Sequence, residues 1–411
     1  MSTSVTEPTP TQAPPPGGSP APGRRTLMER VPWTEVVTTL AAFVLAFLVG
    51  AVLMIVSDTQ VRSTYAYFFA RPSDALTASW DKVGGAYAAL VRGALGGYGP
   101  ITLTTAQAAP LICAGLGVGL AFRAGLFNIG AQGQAILGAI VAAYLGFALH
   151  LPPVIHLVVA LVGGLVGGGL WGGIVGWLKA RAGAHEVIVT IMMNYIAAGL
   201  LGYLLTTTAF RRPGRTDPIS PVVDWNATFP RLEGGQLHLG FGVALLAAVA
   251  VWWLLDRSTT GFAIRAVGAN PHAAATAGMS VARTTVVTMV AAGALAGLAG
   301  VQEALGPSAS GVPVPLSAGI VGSVGFDAIT VALLGRSRPL GIVLAGLLFG
   351  ALHAGGLAMQ SVAQTPLTLT TALQALIVLF VAAPALIARV LPVLRRRRLA
   401  PVGPAAEGGL A

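Results

Sequence analysis

Polar side chains inside long apolar runs are the residues of this sequence best suited to do chemistry. The set comprises Asn128, Gln132, Gln134, Asn194, Glu303 and Asp327. Polar groups at membrane depth are costly, so they usually face the protein interior or a watery path. The amides in this set suit a neutral, hydroxyl-rich ligand such as a sugar or a nucleoside. These six residues are therefore the candidates for a substrate pathway.

Each candidate also has a purely structural interpretation. The amides could hydrogen-bond neighbouring helices, with Asn128 as the cap of the helix that follows it, and Glu303 could be solvated near the outer end of its segment. Asp327 follows Gly322 and Gly325, so we expect it to be the N-cap of a helix that resumes after a break. A capped break and a pathway site are compatible, because transporters build binding sites from broken helices.

A second chemical feature is the loop between the apolar runs that end near residue 256 and begin near residue 285. Asn270 is a good N-cap, Pro271 suits the first helical position, and Gly278 is a helix stop. The pattern predicts a short, rigid helix on the inner face, suited to docking into a groove of a soluble partner. An ordinary amphipathic connector is the alternative. The candidate docking residues of this loop are Arg265, Gly268, Asn270, Pro271, Ala274 and Gly278.

Several kinds of chemistry lack the residues they require. The two lysines, Lys82 and Lys179, do not follow glycine, so the chain has no P-loop and any ATP-Mg must bind a separate polypeptide. The six histidines are dispersed and Cys113 is the single cysteine, so we expect no metal site and no cofactor in this chain. An intramembrane enzyme is a rival class, but no motif nominates its nucleophile.

The composition places these residues in a membrane protein. Of the 411 residues, 55% are hydrophobic and 9% are charged, whereas soluble domains carry about 25% charged residues. The mean hydropathy is +0.78. The net charge of +10 comes mostly from arginines scattered between apolar runs, which suits a membrane surface and not a nucleic acid.

The apolar runs predict an all-α, polytopic integral membrane protein with about ten transmembrane helices. The predicted spans are 35–56, 101–121, 133–149, 154–178, 187–207, 240–256, 285–305, 318–335, 340–358 and 367–391. With both termini cytoplasmic, 16 of the 24 basic residues fall on the inner side, as the positive-inside rule requires. The chain then divides into a disordered, Pro-rich cytoplasmic tail (1–34), a transmembrane domain (35–391) and an Arg-rich cytoplasmic tail (392–411).

Glycine spacing predicts how some of these helices pack. Every fourth residue of one span is glycine, which gives a flat helix face for close approach of another backbone. The four are Gly164, Gly168, Gly172 and Gly176. The sets 101–207 and 285–391 also start from opposite sides of the membrane and have breaks in corresponding places, which is the layout of an inverted repeat.

Five segments of the sequence resemble the permease subunits of bacterial ABC importers. They are Gly119–Gln134, Glu186–Ala197, Gly261–Val281, Ala296–Gly306 and Gly325–Gly341. The resemblance is strongest to the simple-sugar and nucleoside branch, which is related to the ribose and branched-chain amino acid permeases. It covers about residues 35–390, with the motifs in the same order.

The resemblance implies a permease of the bacterial inner membrane that imports nucleosides or simple sugars by alternating access. It implies three partners: a cytoplasmic ABC ATPase, a second permease subunit that is homologous or identical, and an extracytoplasmic solute-binding protein. The loop from Asn270 to Gly278 then matches the coupling helix. The main alternative is a secondary transporter driven by an ion gradient, for which Asp327 is essentially the one intramembrane acid.

Overall fold

The computed structural model describes residues 33–232, 235–307 and 311–382. Within these ranges it contains fourteen α-helices and no extended strand. In chain order the helices are α1 (Trp33–Ser57), α2 (Thr59–Tyr65), α3 (Pro72–Leu95), α4 (Tyr98–Arg123), α5 (Ala131–Ala148), α6 (Pro153–Ala182), α7 (Glu186–Leu204), α8 (Leu239–Arg257), α9 (Thr259–Ala269), α10 (Pro271–Thr276), α11 (Val281–Leu305), α12 (Val324–Leu334), α13 (Pro339–Ala363) and α14 (Leu367–Ala382). Most of the two predicted tails, and both termini, lie outside the described residues.

The apolar runs became helices as predicted, and most of these helices are long enough within the described residues to cross a bilayer. Eight helices of the described chain qualify by length and composition: α1, α4, α5, α6, α7, α8, α11 and α13. The other two predicted spans, 318–335 and 367–391, correspond to the shorter apolar helices α12 and α14. The fold is therefore an all-α polytopic membrane protein, and the end of the predicted span 367–391 lies outside the described residues.

The predicted span 318–335 is mostly a half-length helix. The α12 helix has 11 residues, which rise about 16 Å, roughly half of a 30 Å hydrocarbon core. It starts late because residues 318–323 form turns, in which Gly322, with φ of +51°, lies in the left-handed region. It ends at Gly335, and the following Arg336 and Ser337 also have positive φ.

The α3 helix is an element that hydropathy missed. Pro72 at its first turn and Asp74 nearby favour a helix start, but charged residues along α3 interrupt the apolar pattern. The tertiary structure buries its other face against α13 and α1, in an apolar cluster that also includes residues of α14. Tyr87 donates a hydrogen bond to the carbonyl of Phe47 in α1, so α3 belongs to the bundle and is not an outer loop.

The glycines of α6 lie along α11. A Cβ at Gly168 would collide with the backbone of Gly293 and Gly297, and a Cβ at Gly172 would collide with the carbonyl of Met289. Gly164 and Gly176 face Val301 and Val286 of the same helix. The two helices run antiparallel, since rising numbers on α6 meet falling numbers on α11.

A matching contact joins α4 to α13. There Gly350 approaches the carbonyl of Thr104, and Gly346 approaches Ile112. The α4 helix is the first of the set 101–207 and packs on α13, the third helix of the set 285–391. In the same way α11, the first helix of the second set, packs on α6, the third helix of the first set. The N-terminal ends of the second helices, α5 and α12, also touch, because a Cβ at Gly325 would collide with Gln132. These reciprocal contacts support the inverted repeat.

The segment between α7 and α8 covers the end of the bundle that the charge pattern predicts to be extracytoplasmic. Phe229 donates to the carbonyl of Leu305 at the end of α11. His238 is the N-cap of α8, and its Nδ1 accepts from the Gly240 amide at 3.2 Å. Its side chain is buried, and this burial, together with the nearby Arg231, lowers the pKa of His238 to about 4.

The low pKa of His238 predicts an acid-sensitive contribution to stability. The imidazole of the unfolded chain titrates near pH 6.5. As the pH falls from about 6.5 to about 4, the unfolded chain binds a proton that the folded chain does not, and the equilibrium shifts toward unfolding. The free energy of unfolding therefore falls by about 3 kcal/mol, because each unit of pKa difference corresponds to about 1.36 kcal/mol. H238N keeps an acceptor for the Gly240 amide and should lose this sensitivity in thermal unfolding at pH 7 and pH 4.5. An unchanged pH dependence would contradict the prediction.

Candidate substrate cavity and coupling loop

A buried network of amides shapes the break before α5. Asn128 Nδ2 donates to Gln134 Oε1 at 3.1 Å, and Asn128 Oδ1 accepts from the Gly130 amide at 2.9 Å. Asn194 Oδ1 of α7 accepts from the Gly133 amide at 2.8 Å, while its Nδ2 donates to a backbone carbonyl of the break. These three side chains are committed to protein partners, so in this structure they hold the backbone.

Asn128 stands two residues too early to cap α5. The N-cap residue is Gly130, which has no side-chain cap, and Asn128 instead bonds its amide. The expected cap was thus wrong in position, because the chain makes a tight turn before the helix begins.

Gln132 joins the two breaks. Its Nε2 donates to the Gly322 carbonyl at 2.7 Å, and its Oε1 accepts from the Gly325 amide at 2.9 Å. Gly325 must be glycine for this approach, since a Cβ there would overlap the backbone of Gln132. A single amide side chain therefore ties α5 to the half-length helix.

Asp327 is not the N-cap of α12. The helix begins at Val324, and Ser323 occupies the cap position. Asp327 lies within the first turn, where its Oδ2 accepts from Ser323 Oγ at 2.7 Å. The expectation failed because Gly325, assigned to the break, is already helical.

Asp327 and Glu303 line one cavity of about 260 Å³. Its walls come from α4, α11, α13, the start of α12 and the turn before it. The lining residues are Gln107, Pro110, Leu111, Glu303, Gly319, Ile320, Val321, Gly322, Ser323, Val324, Asp327 and His353. Glu303 is half-buried and makes no hydrogen bond or ion pair within the described part of the chain. Of the two interpretations of Glu303, a solvated residue or a pathway residue, the structure therefore places it in the wall of a cavity.

Two polar lining residues were missed at the sequence level. Gln107 and His353 lie inside the apolar runs 101–121 and 340–358. The rule that selected the other candidates, a polar side chain at membrane depth, would have selected both. The described residues contain no group of three or more His, Cys, Asp or Glu that could hold a metal ion.

Pro110 favours bending of α4 at the wall of the cavity. It lies within α4, at the cavity. Proline has no amide hydrogen and leaves the carbonyl four residues earlier without its helical partner, which favours bending. Since α4 packs against α8, α11, α12 and α13 at the centre of the bundle, a bend there changes the shape of the cavity.

The candidate coupling loop, which comprises the residues from Arg265 to Gly278, has the capped geometry that its sequence predicts. Asn270 Oδ1 accepts from the amides of His272 and Ala273 at 3.0 and 3.1 Å, and Pro271 begins α10. Along α10 the side chain of Ala274 is buried and the others are exposed. The chain then turns at Gly278, with φ of +83°.

The preceding helix, α9, touches the inner end of α4 through glycine backbones. A Cβ at Gly268 would collide with the carbonyl of Arg123, and Gly125, with φ of +71°, approaches the Gly268 carbonyl. Arg123 Nε in turn donates to the Ser337 carbonyl at 3.0 Å, beside α13. Arg265 forms an exposed ion pair with Asp256 at 3.1 Å. The α9 helix therefore packs directly against the end of α4.

The Asn270 cap leads to a prediction about this loop. Asn270→Ala removes the acceptor for two amides, which costs about 1 kcal/mol of local helix stability. We expect slower uptake with the assembled complex retained, whereas Asn270→Asp, which keeps an acceptor, should be close to wild type. Uptake rates of both variants in membrane vesicles test this, and an equal rate for Asn270→Ala and wild type would contradict it.

The apolar helices long enough to cross a membrane identify a multi-pass membrane protein, and the polar cavity and the exposed capped helix suit a transport subunit. A family comparison agrees. The chain belongs to the family described as branched-chain amino acid transport system / permease component, whose model matches residues 101–382. It is thus a transport subunit.

Curated relatives are similar over most of their length. The guanosine ABC transporter permease protein NupP of Bacillus subtilis is 38% identical, over 85% of this chain and 93% of the relative. The nucleoside ABC transporter permease protein NupB of Lactococcus lactis is 33% identical, over 87% and 93%. The glucose ABC transporter permease protein TsgB13 of Haloferax volcanii is 33% identical, over 68% and 75%. No solved structure matches the chain.

Proposed function

We propose that this chain is the membrane-spanning subunit of an ABC importer for nucleosides. The observation that carries the proposal is that two relatives named for guanosine and nucleoside transport match 85% and 87% of the chain. The relative named for glucose transport matches 68%, so simple sugars are the second candidate substrate class.

In this proposal the energy comes from a cytoplasmic ATPase subunit that binds ATP-Mg. The absence of a P-loop from the sequence supports a separate ATPase. The residues proposed to meet it are those of the coupling loop, with the exposed α10 as the docking helix. A second permease subunit and an extracytoplasmic solute-binding protein complete the importer.

The contacts suggest how motion reaches the solute. ATP-driven movement of the docking groove displaces α10 and α9. Because Gly268 lies against the backbone of Arg123, α9 moves the inner end of α4. Pro110 lets α4 bend at the cavity, and the cavity changes its access from one side of the membrane to the other. No covalent step occurs in this subunit.

Reconstitution tests the proposal. Vesicles that contain the chain with its ATPase, second permease subunit and binding protein should accumulate guanosine only when ATP is present inside. Removing residues 261–279 should abolish accumulation, because the docking helix is lost. Guanosine uptake by the chain alone, driven by an ion gradient, would contradict the proposal and favour a secondary transporter. Uptake of glucose without guanosine would favour the sugar class.

A further inference from the structure

The cavity between α4, α11, α12 and α13 has the composition of a small-molecule site. Leu111, Val321 and Val324 supply apolar walls, and polar side chains converge from four different helices. Pockets for drug-sized ligands measure about 300–1,000 Å³. A cavity of about 260 Å³ therefore suits one small solute.

The carboxylates in this cavity differ in how they are occupied. Asp327 is engaged by Ser323 Oγ at 2.7 Å. Glu303 comes from α11 and has no hydrogen-bonding partner among the described residues, although it lines the cavity. A half-buried carboxylate without a partner is costly unless a ligand supplies one. Glu303 is therefore the group most in need of a donor from the solute.

The hydrogen-bonding groups of a carboxylate indicate which donors the solute should present. An ionised carboxylate offers two acceptor oxygens and no donor, so it pairs best with two adjacent N–H groups. The edge of guanine presents such a pair, at N1 and at the exocyclic N2. Hypoxanthine presents only the N1 donor, and adenine presents an acceptor at N1.

We propose that this cavity is the solute site of the permease and that Glu303 selects a guanine-type base by accepting from its N1–H and N2–H groups. Gln107 and His353 line the same cavity and are available to the ribose hydroxyls. The inference rests on the proposed nucleoside function and adds to it the base that is preferred and the residue that reads it.

The test uses the complex of this chain with its ATPase and second permease subunit, without the solute-binding protein, so that the selectivity measured belongs to the membrane subunits. Radiolabelled guanosine is bound at equilibrium and displaced with unlabelled guanosine, inosine, adenosine or glucose. We expect affinity to fall from guanosine to inosine to adenosine. Glu303→Gln should weaken guanosine binding at least tenfold and adenosine binding less, because the new amide sets a donor against a donor.

Two further variants separate binding from folding. Asp217→Asn removes an exposed carboxylate that is paired with Arg215 and should bind guanosine as wild type does. Glu303→Asp keeps a carboxylate and should retain part of the preference for guanosine over adenosine. Thermal unfolding and size-exclusion profiles verify that each complex is assembled.

The possible outcomes distinguish the role of Glu303 from the nucleoside function of the transporter. Wild-type affinity and selectivity in Glu303→Gln, in a complex that takes up guanosine with ATP, would overturn the role of Glu303 and leave the nucleoside function standing. A wild-type complex that binds glucose and not guanosine would overturn the nucleoside function and the base preference together. Binding of guanosine and adenosine with equal affinity would overturn the base preference alone.

Discussion

Gly268→Val is expected to separate ATP hydrolysis from transport, with guanosine uptake reduced at least tenfold and hydrolysis retained. Any side chain at this position collides with the carbonyl of Arg123, so α9 must move away from α4. Overpacking of this kind costs about 1–3 kcal/mol when the neighbours must shift, and backbone atoms cannot rotate aside. The proposed docking helix α10 remains exposed and capped, so we expect the ATPase still to bind while its motion no longer reaches α4.

Vesicles that contain the complete transporter allow uptake and ATP hydrolysis to be measured on the same sample. Gly242→Val is the matched control, because Gly242 lies in α8 where a Cβ would meet only Leu239, at 4.0 Å. It should keep both activities near wild type. Wild-type uptake by Gly268→Val, or loss of hydrolysis in step with uptake, would show that the contact between α9 and α4 does not couple the two.

The second large effect is expected where α6 meets α11. Gly168→Ala should destabilise the bundle by about 1–3 kcal/mol, although it adds a single methyl group. The added Cβ would collide with the carbonyl of Gly293 and lie 2.5 Å from the Cα of Gly297. Relief requires the two helices to separate, which loses contacts along the whole interface.

The neighbouring residue provides the control. At Gly169 the nearest atom to an added Cβ is the Val290 carbonyl oxygen at 3.4 Å, an ordinary contact. Gly169→Ala should therefore match or exceed wild-type stability, because alanine also favours the helix. Thermal unfolding of the two variants in detergent gives the comparison. Equal melting temperatures would mean that the close approach of α6 and α11 does not determine stability.

Short-range sequence patterns determine many of the helices of this protein and the ends of some of them. A chain in lipid must satisfy its backbone hydrogen bonds internally, so a long apolar run can only become a helix. Ser258 and Asn270 cap their own helices through amides two or three residues away. Such bonds depend on neighbours in sequence, which is why the capped start of α10 could be predicted.

Other elements could be read from the sequence only in part. The run 318–335 was apolar enough to suggest a span, but its helix begins at Val324, where Gln132 of a distant helix accepts from the Gly325 amide. The α3 helix was hidden for the opposite reason. Its charged residues interrupt the apolar pattern, and Lys82 is accommodated by an ion pair with Asp58 at 2.7 Å. In both cases a contact far along the chain decided the outcome.

The candidate site shows the same division. Sequence alone identified polar side chains in apolar runs and the glycines that allow backbones to touch, because residue type and spacing carry that information. Only the tertiary structure separated those side chains into two groups. Asn128, Gln134 and Asn194 form a buried hydrogen-bond network. Glu303 and Asp327 line a cavity. Helix faces are set by packing between segments up to two hundred residues apart, as the bond between Gln132 and Gly322 illustrates, and no local pattern encodes that rotation.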